Sequence, residues 1–279
     1  MSTPQTSTHN HKTTRRILCL GIDPMAKSGL QKDWLECYEN HLELFDLLNV
    51  KPRWVKINLA FFIRWGRLGI DKLEHVCETL GGQTHLLLDG KFGEIGNSLN
   101  QYLDFAFDHL QVDGVTVNPF MGEHIIGASI QKALNLRGEL GRVFVLGATS
   151  EFPQKQLAAF QNSYSAIAEA CQEAHLALDP SGSLSTQVGL VVGANRADAL
   201  LHPTLKSSRS PLLMPGVGAQ GVTLKAALEN TRELSQEIIF PISRAICEGG
   251  NLKPVEMLRR FESLQSELET TLSTQWSSK

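Results

Sequence analysis

Leu86-Leu87-Leu88-Asp89-Gly90-Lys91-Phe92-Gly93-Glu94-Ile95-Gly96-Asn97-Ser98 carries a whole structural unit in one line of sequence. Three consecutive leucines followed by Asp89-Gly90 make a short apolar run of the kind that forms a strand buried on both faces. From Leu99 to residue 110 the apolar residues return every three or four positions, the spacing of a helix with one buried face. Between strand and helix stand Asp89, Lys91 and Glu94.

Outward from this unit the same pattern repeats. Aliphatic and β-branched runs at 16–22, 53–58, 84–88, 114–118, 142–147, 188–192, 212–215 and 237–241 predict eight strands. Amphipathic segments at 34–48, 72–80, 99–110 and 155–174 predict intervening helices, and 254–272 predicts a last helix entered at Pro254. Alternation of strand and helix implies a parallel sheet, and eight repeats without a break in composition imply closure. The expected fold is α/β, a (β/α)₈ TIM barrel forming a single domain over residues 16–275, and the 279-residue chain suits a barrel of roughly 250 residues. An open doubly wound sheet needs a G-x-G-x-x-G turn after its first strand, and Gly21-Ile22-Asp23-Pro24 is not one. Residues 1–15, rich in Ser, Thr, His and Asn, are expected to form a flexible tail, and 177–186 an exposed loop.

Several function classes are disfavoured by composition. A net charge of −3 with dispersed charges offers no field for nucleic acid. No stretch approaches the ~20 apolar residues of a membrane span. Five scattered cysteines without a Cys-x-x-Cys pair, and histidines without ligand spacing, predict no metal site and a reduced, cytoplasmic protein. His41, His75, His85 and His109 read as satisfied core or surface residues, and Trp34, Trp54 and Trp65 as packing residues.

In a barrel of this kind the active site lies at the carboxyl ends of the strands. Asp23, Lys56, Asn58, Asp89, Lys91, Asn118, Ser150 and Arg244 fall at or just past those ends. A buried salt bridge accounts for any one of them but not for the whole ring. Asp89 and Lys91, two apart, share a face of their strand, and Gly90 between them permits close approach. Lys56 turns inward because Val55 and Ile57 on either side supply the outward apolar face. A lysine held between carboxylates stays protonated, so it suits proton donation and charge stabilisation rather than Schiff-base chemistry. The run Pro215-Gly216-Val217-Gly218-Ala219-Gln220-Gly221 after the seventh strand, with Ser243-Arg244 after the eighth, fits a phosphate grip: freed backbone amides plus a forked cation.

Taken in order, Leu18-Cys19-Leu20-Gly21-Ile22-Asp23-Pro24, Val55-Lys56, Asp89-x-Lys91, Val117-Asn118-Pro119-Phe120-Met121-Gly122, Gly147-Ala148-Thr149-Ser150, Val192-Gly193-Ala194, Pro215-Gly216-x-Gly218-Ala219-Gln220-Gly221 and Ser243-Arg244 resemble the orotidine 5′-monophosphate decarboxylase family in its longer-chain bacterial form. The resemblance spans nearly the whole barrel. It implies cofactor-free conversion of orotidine 5′-monophosphate to uridine 5′-monophosphate, by loss of CO₂ from carbon 6 and its replacement by a proton, in a homodimer with active sites at the interface. By the same resemblance Lys91 stabilises the carbanion and delivers the proton, Asp89 sits beside the leaving carboxylate, and Lys56 and Asp23 hold ribose hydroxyls. Ser150 and Gln220 would bind the pyrimidine, Pro215 and Val217 wall the ring, and Gln220, Arg244 and the residues around Gly216, Gly218 and Ser243 hold the phosphate. The loop after Gly216 is expected to close over the nucleotide.

The family pattern Asp-x-Lys-x-x-Asp-Ile-x-x-Thr is departed from at Glu94 and Ser98, two residues that the resemblance places across the dimer interface. Serine keeps the hydroxyl. Glutamate keeps the charge but shifts it by on the order of 1 Å, a displacement that can cost roughly 100-fold in rate. The alternative is therefore a catalytically weakened member that binds a pyrimidine nucleotide. A related phosphosugar decarboxylase shares Asp-x-Lys, but gives no reason for a ring-spanning Gln220.

Overall fold

Parallel strands β1 (Arg16–Ile22), β2 (Trp54–Asn58), β3 (His85–Phe92), β4 (Gly114–Val117), β5 (Arg142–Ala148), β6 (Val188–Val192), β7 (Leu212–Leu213) and β8 (Ile238–Ile242) close a barrel in sequence order. The ring is sealed by β8 against β1, Arg16 level with Ile238 and Leu20 with Ile242. The computed structural model describes residues 15–149, 163–178, 187–218, 220–248 and 252–276. The expected tail, except for Arg15, residues 155–162 of an expected helix and residues 179–186 of the expected loop lie outside the described residues.

Side chains alternate across each strand, and two cores result. Ile17, Cys19, Trp54, Leu87, Phe144, Val191, Leu213 and Ile239 fill the barrel interior. Leu18, Leu20, Val55, Ile57, Leu86, Leu88, Val143 and Val145 face out and meet the helices in the larger core. Each such side chain, fully buried, contributes on the order of 1.5–3 kcal/mol. At the floor, buried Arg16 donates to the carbonyls of Gln236, Leu234 and Thr231, so its charge is spent on holding loops together.

The helices Gln31–Leu47, Gly66–Leu80, Gly96–Asp104, His124–Arg137 and Ser163–Leu178 alternate with the strands, and Pro254–Trp276 packs back on the first of them. Three expectations are corrected. Strand β3 does not stop at Leu88 but runs to Phe92, carrying Asp89 and Lys91 within it. The helix expected over 99–110 is α-helical only to Asp104 and continues as a π-turn, Phe105–His109. Residues 177 and 178, expected in a loop, end the helix Ser163–Leu178.

Candidate active site

Lys56 stands on β2 level with Gly21 of β1, its side chain inside the barrel and only 7% exposed. Its Nζ donates to Asp23 Oδ1 at 3.2 Å and to Asp89 Oδ2 at 3.4 Å. The other oxygen of Asp89, Oδ1, accepts from Lys91 Nζ at 2.6 Å. Asp23, Lys56, Asp89 and Lys91 thus form one line of alternating charge, and its Lys91 end is open, with 49% of that side chain exposed.

The charge states follow from the line. Burial works against the Lys56 ammonium, but Asp23 and then Asp89 outweigh it and hold its pKa above the ordinary lysine value. Burial also works against the Asp89 carboxylate; Lys56, Lys91 and the Thr116 hydroxyl overcome it and hold Asp89 below the usual carboxylate range. Lys56 and Asp89 are therefore both ionised at neutral pH.

Lys91 has φ of 49°, the left-handed region that costs a non-glycine residue on the order of 1–3 kcal/mol. The strain coincides with a register shift between β3 and β4 at Leu88/Phe92. Thr116, on β4, stabilises the turn: its Oγ1 accepts from the Lys91 backbone N–H at 2.9 Å and donates to Asp89 Oδ1 at 2.8 Å. Gly90 is needed here because a Cβ would lie 2.5 Å from the ring of Phe92. That ring is buried and stacks on Tyr102 with centroids 5.1 Å apart, so Phe92 belongs to the outer core.

Opposite, after β7, Gly216 and Gly218 take φ of 109° and 76°. The Gly218 N–H donates to the Val222 carbonyl at 2.7 Å and the Gln220 N–H to the Gly216 carbonyl at 3.0 Å, which folds the loop on itself. A Cβ on Gly218 would sit 2.7 Å from the Cβ of Ala245, so this loop abuts the short helix Arg244–Cys247 that follows β8. Gln220 lies with its side chain against Gly216, Pro215 accepts from the Ala194 N–H at 2.9 Å, and Val217 is buried in the outer core. The Ser243 hydroxyl is buried without a hydrogen-bond partner among the described residues. Arg244 is exposed and, among the described residues, no carboxylate pairs with it.

Two members of the expected polar ring do other work. Asn58 Oδ1 accepts from the Ala60 N–H at 3.2 Å and Asn118 Oδ1 from the Phe120 N–H at 3.0 Å, so both shape the turn after their strand. Glu94 accepts from its own neighbour's N–H, Ile95, at 3.3 Å and does not join the line of charges within one chain. Ser98 is exposed on the first turn of Gly96–Asp104. Ser150 lies outside the described residues. Sequence reasoning misses Thr116 and Arg196. Arg196 clamps Asp198 through two nitrogens at 2.9 and 2.8 Å and reaches the Thr149 carbonyl at 3.3 Å, tying the ends of β5 and β6.

The histidines have ordinary partners: His41 the Cys37 carbonyl, His75 the Tyr38 hydroxyl, His85 the Asp113 carboxylate and His109 the Glu74 carboxylate. Among the described residues no cluster of His, Cys, Asp and Glu is arranged to hold a metal, and no helix is long and apolar enough to cross a membrane.

The model of the orotidine 5′-phosphate decarboxylase / HUMPS family matches residues 16–261. An orotidine 5′-phosphate decarboxylase of Corynebacterium efficiens is 33% identical over 259 residues, covering 85% of this chain and 87% of that protein. One of Dehalococcoides mccartyi is 30% identical over 233 residues, covering 83% of each. Among solved structures, the Leishmania donovani OMP decarboxylase superposes with a TM-score of 0.65 at 26% identity, over 90% of this chain and 93% of that one. The Methanocaldococcus jannaschii orotidine 5′-monophosphate decarboxylase complexed with the inhibitor BMP shares the fold, with a TM-score of 0.59 at 18% identity over 89% and 98% of the two chains.

Proposed function

The chain belongs to the orotidine 5′-phosphate decarboxylase / HUMPS family, and from that premise we propose that it converts orotidine 5′-monophosphate to uridine 5′-monophosphate and CO₂. The observation that carries the proposal is the line Asp23–Lys56–Asp89–Lys91, open at the Lys91 ammonium and facing a glycine turn with an exposed arginine.

The bond from carbon 6 to its carboxylate breaks, CO₂ departs, and the electron pair stays on carbon 6. Lys91 stabilises that pair and then donates its proton to it; the neutral amine recovers a proton from water. An ammonium already in place lowers the barrier because nothing reorganises as the charge appears. Asp89 sits where the carboxylate leaves, and Lys56 and Asp23 hold the ribose hydroxyls and the orientation of Asp89. The phosphate is gripped by Arg244, with Ser243, Gln220 and the Gly218 region beside it, and Ser150, Gln220, Pro215 and Gly216 surround the base, while Val217, expected to wall the ring, is instead buried in the outer core beneath the loop. Binding energy gained at the phosphate draws the loop after Gly216 over the nucleotide and positions the distant ring. No cofactor is assigned a step.

The active form is a homodimer. Ile95 after β3, Phe120 and Met121 after β4 and Tyr102 on the helix Gly96–Asp104 are exposed apolar residues on the side that carries Glu94 and Ser98, and Phe120 is 74% exposed. Covering that surface with a second copy brings Glu94 and Ser98 to the neighbouring site. One barrel domain over 16–275, in the cytoplasm, completes the reading.

The test is a decarboxylation assay on chelator-treated protein, following loss of orotidine 5′-monophosphate absorbance and release of CO₂. Turnover at the untreated rate is expected. Substrate left intact by a protein that still binds uridine 5′-monophosphate would mean that the decarboxylase reading is wrong and that Glu94 marks a binding protein.

A further inference from the structure

Thr116 is 1% exposed on β4, level with Phe144 of β5, and its hydroxyl both accepts and donates within the charged array. The Lys91 amide can only donate, so Thr116 Oγ1 accepts from it at 2.9 Å; the Asp89 carboxylate can only accept, so the hydroxyl proton goes to Oδ1 at 2.8 Å. Asp89 Oδ1 therefore takes two hydrogen bonds, from Thr116 and from Lys91 Nζ, while Oδ2 is left to Lys56.

We propose that Thr116 is a positioning residue for the reaction: one fixed hydroxyl locks the Lys91 backbone and the Asp89 carboxylate to each other, and so sets where the Lys91 ammonium stands. The proposal rests on the decarboxylase reading. Its physical basis is the register shift between Leu88 and Phe92, where β3 departs from regular pairing with β4 and a side-chain oxygen takes the Lys91 amide in place of a ladder carbonyl. Without that acceptor the partly buried N–H is left unpaired, and the left-handed φ of 49° loses the bond that holds it. Relaxation of Lys91 to extended backbone then becomes favourable. Such a change turns the Cα–Cβ bond of Lys91 and moves its ammonium off the position it holds 2.6 Å from Asp89 Oδ1.

The experiment compares Thr116→Val, which keeps the shape and removes the hydroxyl, with Thr116→Ser, which keeps the hydroxyl. For Thr116→Val, kcat on orotidine 5′-monophosphate is expected to fall about 10- to 100-fold with KM changed by less than about threefold, because the grip on phosphate and base is untouched. Thr116→Ser is expected to recover kcat to within about fivefold of the unaltered chain. Equal kcat in the valine variant, or a serine variant no better than valine, overturns the proposal. Crystal structures of both variants supply a reading independent of turnover: residue 91 at positive φ with serine and at negative φ with valine supports it, and positive φ in both overturns it. If the unaltered chain releases no CO₂, the decarboxylase reading fails and these structures alone decide whether Thr116 positions Lys91. Should the valine variant not fold, Thr116→Ala is put through the same comparison.

Discussion

Along β1 to β4 the barrel mouth is already wired: Lys56 touches two carboxylates, Asp89 touches two ammonium groups, and Thr116 ties Asp89 to the Lys91 backbone. Across from it, at β7 and β8, Gly216 and Gly218 take positive φ, the Ser243 hydroxyl is buried without a partner among the described residues, and Arg244 stands exposed. The first region needs nothing further to hold its shape. In the second, no carboxylate among the described residues pairs with Arg244, which on the proposed function is left for the phosphate. On the proposed function the difference separates chemistry from grip: transition-state charge is met by fixed groups, and binding energy comes from groups whose partner is the ligand.

Mutations sharpen or break that division. The largest expected effect is on the wired side. Asp89→Asn leaves Lys56 and Lys91 short of their shared carboxylate and should lower kcat by about 1,000-fold while binding of uridine 5′-monophosphate stays within about tenfold, as read by turnover and by calorimetry. On the gripping side Arg244→Ala should lower kcat/KM by about 100-fold, chiefly through KM, since it removes charge-assisted bonds to a dianion. An unchanged KM would erase the contrast. Smaller again is Gly218→Ala, which places a Cβ against Ala245 at a φ of 76° and should cost about 1–3 kcal/mol in urea unfolding, with a raised KM.

The smallest effect is on pH dependence. Asp89 is held below the usual carboxylate range, so its contribution to stability is present above its unfolded value of about 4 and is lost as pH falls through the lower folded value. Lys56, held above the ordinary lysine value, contributes fully below about pH 10.4 and loses that contribution only at more alkaline pH. The thermal midpoint should therefore carry no step from these two groups between about pH 5 and pH 10, and the gap between the unaltered chain and Asp89→Asn should narrow below about pH 4.

Much of the wired region is legible in the amino-acid sequence. Lys56 has to face inward because Val55 and Ile57 both pack outward, and the closed barrel follows from apolar runs whose ends carry the charges. The last residues of β3 are not legible: Asp89, Gly90 and Lys91 have low strand preference and are held in the strand by pairing and by Thr116. Thr116 itself is hidden because threonine is an ordinary strand residue, and only its distances reveal the role. Asn58 and Asn118 mislead for the opposite reason, since an asparagine at a strand end looks like a site residue but satisfies a backbone N–H two residues on. On the gripping side the glycines are legible, because positive φ leaves few other choices.

The division of labour is tested most directly by Lys91→Ala, assayed for orotidine 5′-monophosphate turnover and titrated with uridine 5′-monophosphate in the same preparation. Turnover reduced by about 10,000-fold or more, with nucleotide binding within about tenfold of the unaltered chain, is the predicted result. Turnover that survives the substitution, or binding that is lost together with it, would contradict it.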